Sequence, residues 1–293
     1  MSEFARPSTF VVPHEDWSCL LDCLCLQFPK VGRERWLDRF SRGRVLDDQQ
    51  RPLQADTTVK RGMRVLYFRE LPAEPEIPFH ERILFANEHF LVVDKPHFLP
   101  VTPGGEYVAQ TLQSRLMQRL RNDQLQPVHR IDRHTAGLVL FSLQAASRGC
   151  YQALFRERAI HKAYQAIAPA LPDLTFPHQR ASRIVRGEAF FLSQEVDGEA
   201  NAVSRIDVLE RRGDWWRYRL EPISGKKHQL RLHMAALGAP ICHDALYPQV
   251  DNDLAADYQR PLQLLASELA FTDPVDGRPY CFNSELALQW PIV

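Results

Sequence analysis

Nine residues near the middle of the chain, His129-Arg130-Ile131-Asp132-Arg133-His134-Thr135-Ala136-Gly137, set one carboxylate among two guanidiniums and two imidazoles. The apolar run Leu138 to Phe141 follows at once. A short apolar run next to a glycine reads as a buried strand, which leaves the polar residues on a loop at its mouth. Loops held by a rigid scaffold are where chemistry concentrates. A carboxylate placed there can act as a nucleophile or stabilise an electron-poor carbon. Taken alone, the same residues also make an ordinary surface turn with ion pairs of little worth.

A second polar stretch, Ser224-Gly225-Lys226-Lys227-His228-Gln229-Leu230-Arg231-Leu232-His233, opens a helix that ends at Gly238. His228 and His233 are five residues apart, which is not the one-turn pairing of zinc helices. Cys19 and Cys23 lie one turn apart on a different helix, but a zinc site needs four converging ligands, so no metal is expected.

The elements that must position these residues are readable around them. Ile83 to Ala86 and Phe90 to Val93 read as strands, and Asp94 to Gly105 as a shaped Pro- and Gly-bearing loop. Tyr107 to Arg121 reads as a basic amphipathic helix, and Ala145 to Arg158 as another helix. Ile160 to Ile167 alternates as a strand and carries Lys162 and Tyr164. Ala202 to Leu209 and Trp215 to Leu220 flank a turn at Arg211 to Asp214. There Trp215, Trp216 and Tyr218 are available for packing or for stacking on bases. Leu265 to Phe271, with a turn at Asp276-Gly277, forms a last hairpin.

These stretches together resemble the RluA-type pseudouridine synthases. The first resembles that family's HRLDRxTSG motif, with Ile131 for Leu and Ala136 for Ser. Val93 to Leu99 resembles V-N-K-P-x-G-L, with Asp94 for Asn and Phe98 where Gly is usual. Lys162 to Ala166 resembles K-x-Y-x-A. Ser224 to His233 resembles T-G-R-T-H-Q-I-R-V-H, with Lys226 and Lys227 as departures. Gly238 to Tyr247 resembles G-x-P-I-x-G-D-x-L-Y, with His243 for Gly. Leu265 stands for the His of a closing L-H-A-x-x-L-x-F pattern. The motifs occur in family order across roughly residues 83 to 286.

The resemblance implies an α+β catalytic fold with a mixed, largely antiparallel central sheet flanked by helices and loops. It implies isomerisation of uridine to pseudouridine in structured RNA, tRNA or large-subunit rRNA, with no cofactor. Asp132 would act on the ribose of a flipped-out uridine, and Arg231 would pair with Asp132. Tyr164 would stack on the uracil and assist proton transfer, and Leu230 would wall the base pocket. Arg130 would fill the vacated space or hold the flipped phosphate. His129, Arg133, Thr135, Lys162, Lys226, His228 and Gln229 complete the implied substrate-binding set. Two rivals stand beside this reading. One is a catalytically inactive RNA-binding protein of the same fold. The other is a glycoside hydrolase, which normally needs a second carboxylate; Asp244 is the nearest candidate and reads as structural.

The chain of 293 residues is 45% hydrophobic and 25% charged, ordinary for a globular protein, and its formal net charge is zero. A neutral total can hide a local basic patch. The six cysteines form no C-x-x-C pair and suit a reduced, cytoplasmic setting. No signal peptide is visible, and no apolar run approaches about 18 residues, so no membrane span is expected. A monomer is the expected state.

Residues 1–14 read as an extended arm and 71–79 as a stiff linker punctuated by Pro72, Pro75 and Pro78. Residues 15–70 between them form a helix over Trp17 to Phe28, a basic helix after Val31, and short strands at Arg44 to Leu46 and Met63 to Phe68. This order resembles a small α/β RNA-binding module known from a ribosomal protein and carried by many RluA-type enzymes. On its basic helix Trp36, Leu37 and Phe40 are expected to face a core. Arg33, Arg35, Arg39 and Arg42 are expected to project outward, towards phosphates or simply into solvent. Residues 80–293 make up the catalytic domain.

Overall fold

The protein is described by a computed structural model covering residues 7–13, 17–70 and 74–291. The chain divides into two compact units, Met1–Glu74 and Pro75–Val293. The expected arm and linker lie partly outside the described residues. Of the arm, Ser8–Val11 is a strand rather than free chain.

The first unit holds β1 (Ser8–Val11), α1 (Leu20–Gln27), α2 (Arg33–Ser41), β2 (Val45–Leu46) and β3 (Arg64–Tyr67). The sheet order is β1-β3-β2, antiparallel throughout. Leu20, Leu24, Trp36 and Val65, each fully buried, form the centre of its core. The reading of α2 needs correction at two positions. Arg39 is 5% exposed, stacks over the Trp36 ring at 4.7 Å and donates to the Glu70 carbonyl at 3.1 Å. Leu37 is 43% exposed. Positions 36, 39 and 40 share one helix face, because residues three and four apart are neighbours, and Leu37 falls beside that face. Arg42 pairs with Asp38 and Glu70, Arg44 with Glu70, and Arg33 with Asp22. Most of the helix's charge is therefore spent within the unit.

The second unit opens with β4 (Arg82–Ala86), β5 (Phe90–Lys95), α3 (Leu112–Leu120), β6 (Gln126–Pro127), β7 (Ala136–Ser142) and α4 (Ala145–Arg156). There follow β8 (Ile160–Pro169), β9 (His178–Arg186), β10 (Ser193–Val196), β11 (Ala202–Arg212) and β12 (Trp215–Pro222). The chain continues with α5 (Gln229–Ala236), α6 (Asn252–Ala256), β13 (Leu264–Thr272) and β14 (Pro279–Asn283). The main sheet runs β10-β9-β11-β12-β8-β13-β7-β5-β4, with β14 joined to β13 and β6 to β7. All pairings among the described residues are antiparallel except β13 with β7. This is the mixed, largely antiparallel sheet of an α+β fold. Every residue of β5 and β7 is buried, as expected for strands covered on both faces.

Helix α3 starts later than its pattern predicts. Thr111 caps it, its hydroxyl accepting from the Ser114 N–H at 3.2 Å. Gly104 and Tyr107 close a turn by exchanging backbone bonds of 2.9 and 3.1 Å, which keeps Tyr107 out of the helix. Trp216 and Tyr218 of β12 belong to the core, and the Tyr218 hydroxyl donates to the Pro169 carbonyl at 2.7 Å. Trp215 and Trp290 both pack against the cluster of Ala136, Ile167, Leu265 and Leu288. Neither Trp216 nor Tyr218 is free to stack on a base, and Trp215 is half-buried.

One glycine sets the centre of the sheet. Gly137 sits at φ 109°, where β7 lies parallel to β13, and a Cβ there would come 2.2 Å from the Ala266 carbonyl oxygen. Gly137→Ala must therefore move two central strands as well as strain its own backbone. It should destabilise the protein by about 3 kcal/mol or more. In urea titration the midpoint should fall with the slope unchanged, and an unaltered midpoint would refute this account.

Candidate active site

The polar loop between β6 and β7 is pinned from the end of β5. Lys95, fully buried, donates from Nζ to the carbonyls of Pro96 at 2.9 Å and Arg133 at 3.2 Å. Burial pulls its ammonium down to about 7, partly opposed by the nearby Asp132 charge. His97 Nδ1 donates to the His134 carbonyl at 2.7 Å, and Arg133 Nε donates to the Phe98 carbonyl at 3.2 Å. The Thr135 N–H closes the turn on the Asp132 carbonyl at 3.2 Å. Each of these bonds holds backbone, so the Asp132 side chain is fixed in direction without being covered: 28% of it stays exposed.

Facing Asp132 is Arg231 of α5, 1% exposed. Its Nε and Nη2 donate to the two oxygens of Asp244 at 2.8 and 2.5 Å, a two-pronged pair that fixes the guanidinium plane. Asp244 also accepts from the N–H groups of Leu246 and Tyr247. The remaining prong, Nη1, points at Asp132 Oδ2 from 3.4 Å. Burial pushes the Asp132 carboxyl up, but the His228 and Arg231 charges outweigh it and hold the group below its ordinary range. His228 is itself held to about 4 by burial. At neutral pH it is uncharged, which leaves Arg231 as the cation that keeps Asp132 ionised.

Both residues open into a cleft of about 990 Å³. Every residue expected at the site lines it: Asp132, Tyr164, Arg231, His129, Arg130, Arg133, Thr135, Lys162, Leu230, Lys226, His228 and Gln229. Seven lysine and arginine side chains face two carboxylates there, so the neutral chain does carry a basic patch. Tyr164 projects from β8 with no hydrogen-bond partner for its hydroxyl among the described residues. Burial, and then the Asp132 charge, push that phenol up, so it stays protonated and can donate a hydrogen bond.

Not all the expected contacts are free to meet a ligand. Gln229 is consumed internally: its amide donates to the Val203 carbonyl and Ser204 Oγ and accepts from Ser224 Oγ and the Lys226 N–H. It clamps the loop that carries Lys226 to His228. His129 stacks on Phe155 at 4.5 Å and accepts the Leu140 N–H at 3.1 Å, bracing β7. Arg133 is tied down by Phe98 and lies over the Tyr107 ring at 4.8 Å. Arg130, Lys226 and Lys227 are exposed. The His228 ring meets the Tyr247 hydroxyl at 2.8 Å, and His233 lies between Ser204 and Ser182. Protein groups thus engage His233 at both ring nitrogens and His228 at Nδ1.

Sequence reading missed three contributors. Lys95 lay in a stretch read as a shaped loop resembling V-N-K-P-x-G-L, with no site role given to it. The bond from Asp244 to Arg231 depends on a fold the sequence does not display. Glu221 is a second carboxylate in the cleft, but it is paired with Arg219 at 2.8 Å.

Comparison with known proteins adds an independent line. Residues 89–236 match the family described as RNA pseudouridylate synthase. An uncharacterized RNA pseudouridine synthase of Synechocystis sp. is 30% identical over 235 residues, spanning 78% of this chain and 79% of that protein. The dual-specificity RNA pseudouridine synthase RluA of Haemophilus influenzae is 32% identical over 230 residues, 73% of this chain and 95% of its own. Among solved structures, human RNA pseudouridylate synthase domain containing 4 superposes with a TM-score of 0.56 at 26% identity, covering 70% of this chain and 88% of its own.

Cutting the Asp244 prong should leave Arg231 charged and unpaired in the interior. Asp244→Ala is expected to cost about 3–5 kcal/mol in a denaturant titration. Asp132→Ala removes a partly exposed charge that the fold does not need, and should cost less than about 1 kcal/mol. Equal losses would show that the two carboxylates do not divide the work in this way.

Proposed function

The chain belongs to the RluA-type RNA pseudouridine synthases and isomerises uridine in RNA, and from that premise we propose that Asp132 is the group that acts on the ribose. The observation that carries this is the ionised, partly exposed Asp132 carboxylate held 3.4 Å from a guanidinium locked by Asp244. The reaction breaks the bond from N1 of uracil to C1′ of the ribose and joins C5 to the same carbon. As the base leaves with the bonding electrons, C1′ becomes electron-poor, and the Asp132 carboxylate attacks or stabilises it. Bonding of C5 to C1′ releases the C5 proton, and N1 takes one up. Atoms and charge balance with no redox step.

The other roles follow from the lining of the cleft. A uridine must leave its stack to enter. Tyr164 stacks on the uracil and donates from its protonated phenol, and Leu230 walls the base. Arg130, exposed and unpaired among the described residues, fills the space the base vacates or holds its phosphate. Lys162, Lys226 and Thr135 complete the contacts, while His129, Arg133 and Gln229 act by holding the loops. The substrate is a structured RNA, tRNA or large-subunit rRNA, the class implied by the motifs and compatible with relatives named as dual-specificity enzymes. The residue 15–70 region serves as an accessory RNA-binding module. Its α2 arginines are largely paired internally, so Arg35 is the cation of that helix with most freedom to reach phosphate. The enzyme works as a cytoplasmic monomer.

Tritium release from RNA labelled at C5 of uridine tests the reaction. With total RNA from a strain lacking the protein, the native chain should release label, and Asp132→Ala should lose at least about 10³-fold in rate. Release by the variant at the native rate would remove Asp132 from the mechanism, and free uracil as product would indicate hydrolysis. The acid limb of kcat/KM gives a second test. The His228 charge, acquired in acid, and the Arg231 charge together lower the Asp132 pKa, so activity survives to a pH below the ordinary carboxylate range. Arg231→Lys weakens that hold, and the limb should move to higher pH; a limb that stays in place or moves down would refute the pairing.

A further inference from the structure

Beside the cleft, the turn between β9 and β10 puts two phenylalanines into solvent. Phe190 is 73% exposed and Phe191 39%, and their rings meet edge to face with centroids 5.5 Å apart. Isolated exposed apolar side chains are common and need no explanation. Three features set this pair apart. The turn beneath it is hydrogen-bonded, with Gly187 N–H donating to the Leu192 carbonyl at 3.1 Å and Leu192 N–H to the Ala189 carbonyl at 2.9 Å. The Lys227 ammonium, which lines the cleft, donates to the Phe190 carbonyl at 3.4 Å and so ties the turn to the cleft rim. Arg130 and Arg186, both exposed, are like-charged neighbours of Lys227.

An open aromatic face beside clustered cations is the chemistry that holds an unpaired base by its π-face and the neighbouring phosphates by charge. A protein partner would want a broader apolar area than two rings offer. We propose that Phe190 is a stacking platform for an unpaired base flanking the target uridine, with Lys227 and Arg186 holding the phosphates on either side. The platform selects RNA in which the uridine lies in a single-stranded segment and tolerates any base on the ring, because every base has a face to stack. It rests on RNA being the substrate, and on no particular role for Asp132.

Fluorescence anisotropy with a labelled twelve-nucleotide oligouridylate measures the platform without turnover. Phe190→Ala should weaken binding by about 5- to 100-fold. Phe190→Trp should stay within about threefold of the native chain, since Trp keeps the stacking face. Binding of an RNA duplex of the same length should not change in either variant. The proposal is overturned if Phe190→Ala binds the oligouridylate as the native chain does, if duplex binding falls equally, if Trp does not preserve affinity, or if the native chain does not bind the single strand. Failure of the catalytic reading would show separately, as absent tritium release by the native chain, and would leave these affinities untouched.

Discussion

The site depends on a buried guanidinium whose three nitrogens are divided between two carboxylates. Asp244 takes Nε and Nη2, and Nη1 is left for Asp132. Burying Arg231 and Asp244 costs several kcal/mol of hydration per ion, and a pair of apolar side chains of equal volume would serve stability as well or better. What the ionic pair supplies is direction and charge. The two-pronged contact sets the guanidinium plane, the plane sets where Nη1 points, and the charge keeps a carboxylate ionised in a cleft whose burial works against ionisation. A lysine in its place would keep the charge and lose the plane.

The opposite half of the site is fixed through backbone. Lys95, His97 and Phe98 each engage a backbone or guanidinium group of the Asp132 loop, and Gly137 lets β13 approach just beyond it. The loop is thus held on the C-terminal side of Asp132 while its carboxylate stays open to the cleft. This division suits a catalytic group. Covering the side chain would stabilise it and deny it a substrate, whereas fixing the main chain limits its motion and leaves its lone pairs available.

The elements were legible where local pattern decides. The strands at 83–86, 90–93 and 160–167, the 202–220 hairpin and the helix following Ser224 all announce themselves through alternation, apolar runs or turn residues. The cleft residues were legible because their motifs are contiguous. What could not be read was how long side chains are spent. Arg39 looked like an outward cation and is buried against Trp36; Gln229 looked like a substrate contact and has all its polar atoms engaged by Val203, Ser204, Ser224 and Lys226. Such uses depend on partners distant in sequence. Phe98 and His243 show a further limit. Both stand where the motifs they resemble have glycine, and both have a positive φ, 66° and 59°, that glycine would adopt without strain. The turn survives the loss of the residue that signals it because packing carries the strain: Phe98 is 2% exposed, against Phe79, His134 and Tyr258.

Net charge was the least informative quantity in the sequence, and the fold explains why. Cations and carboxylates are equal in number over the chain but unequally placed. Glu70 alone engages Arg42 and Arg44 by its carboxylate and Arg39 by its carbonyl, and Glu195 and Glu268 answer Arg180 and Arg219. Such pairing cancels charge locally, and the cleft is left with more cations than carboxylates. The field that a polyanion meets on approach is set by that residue of unpaired charge and is focused by a concave wall. A chain of zero formal charge can therefore still draw RNA to its cleft.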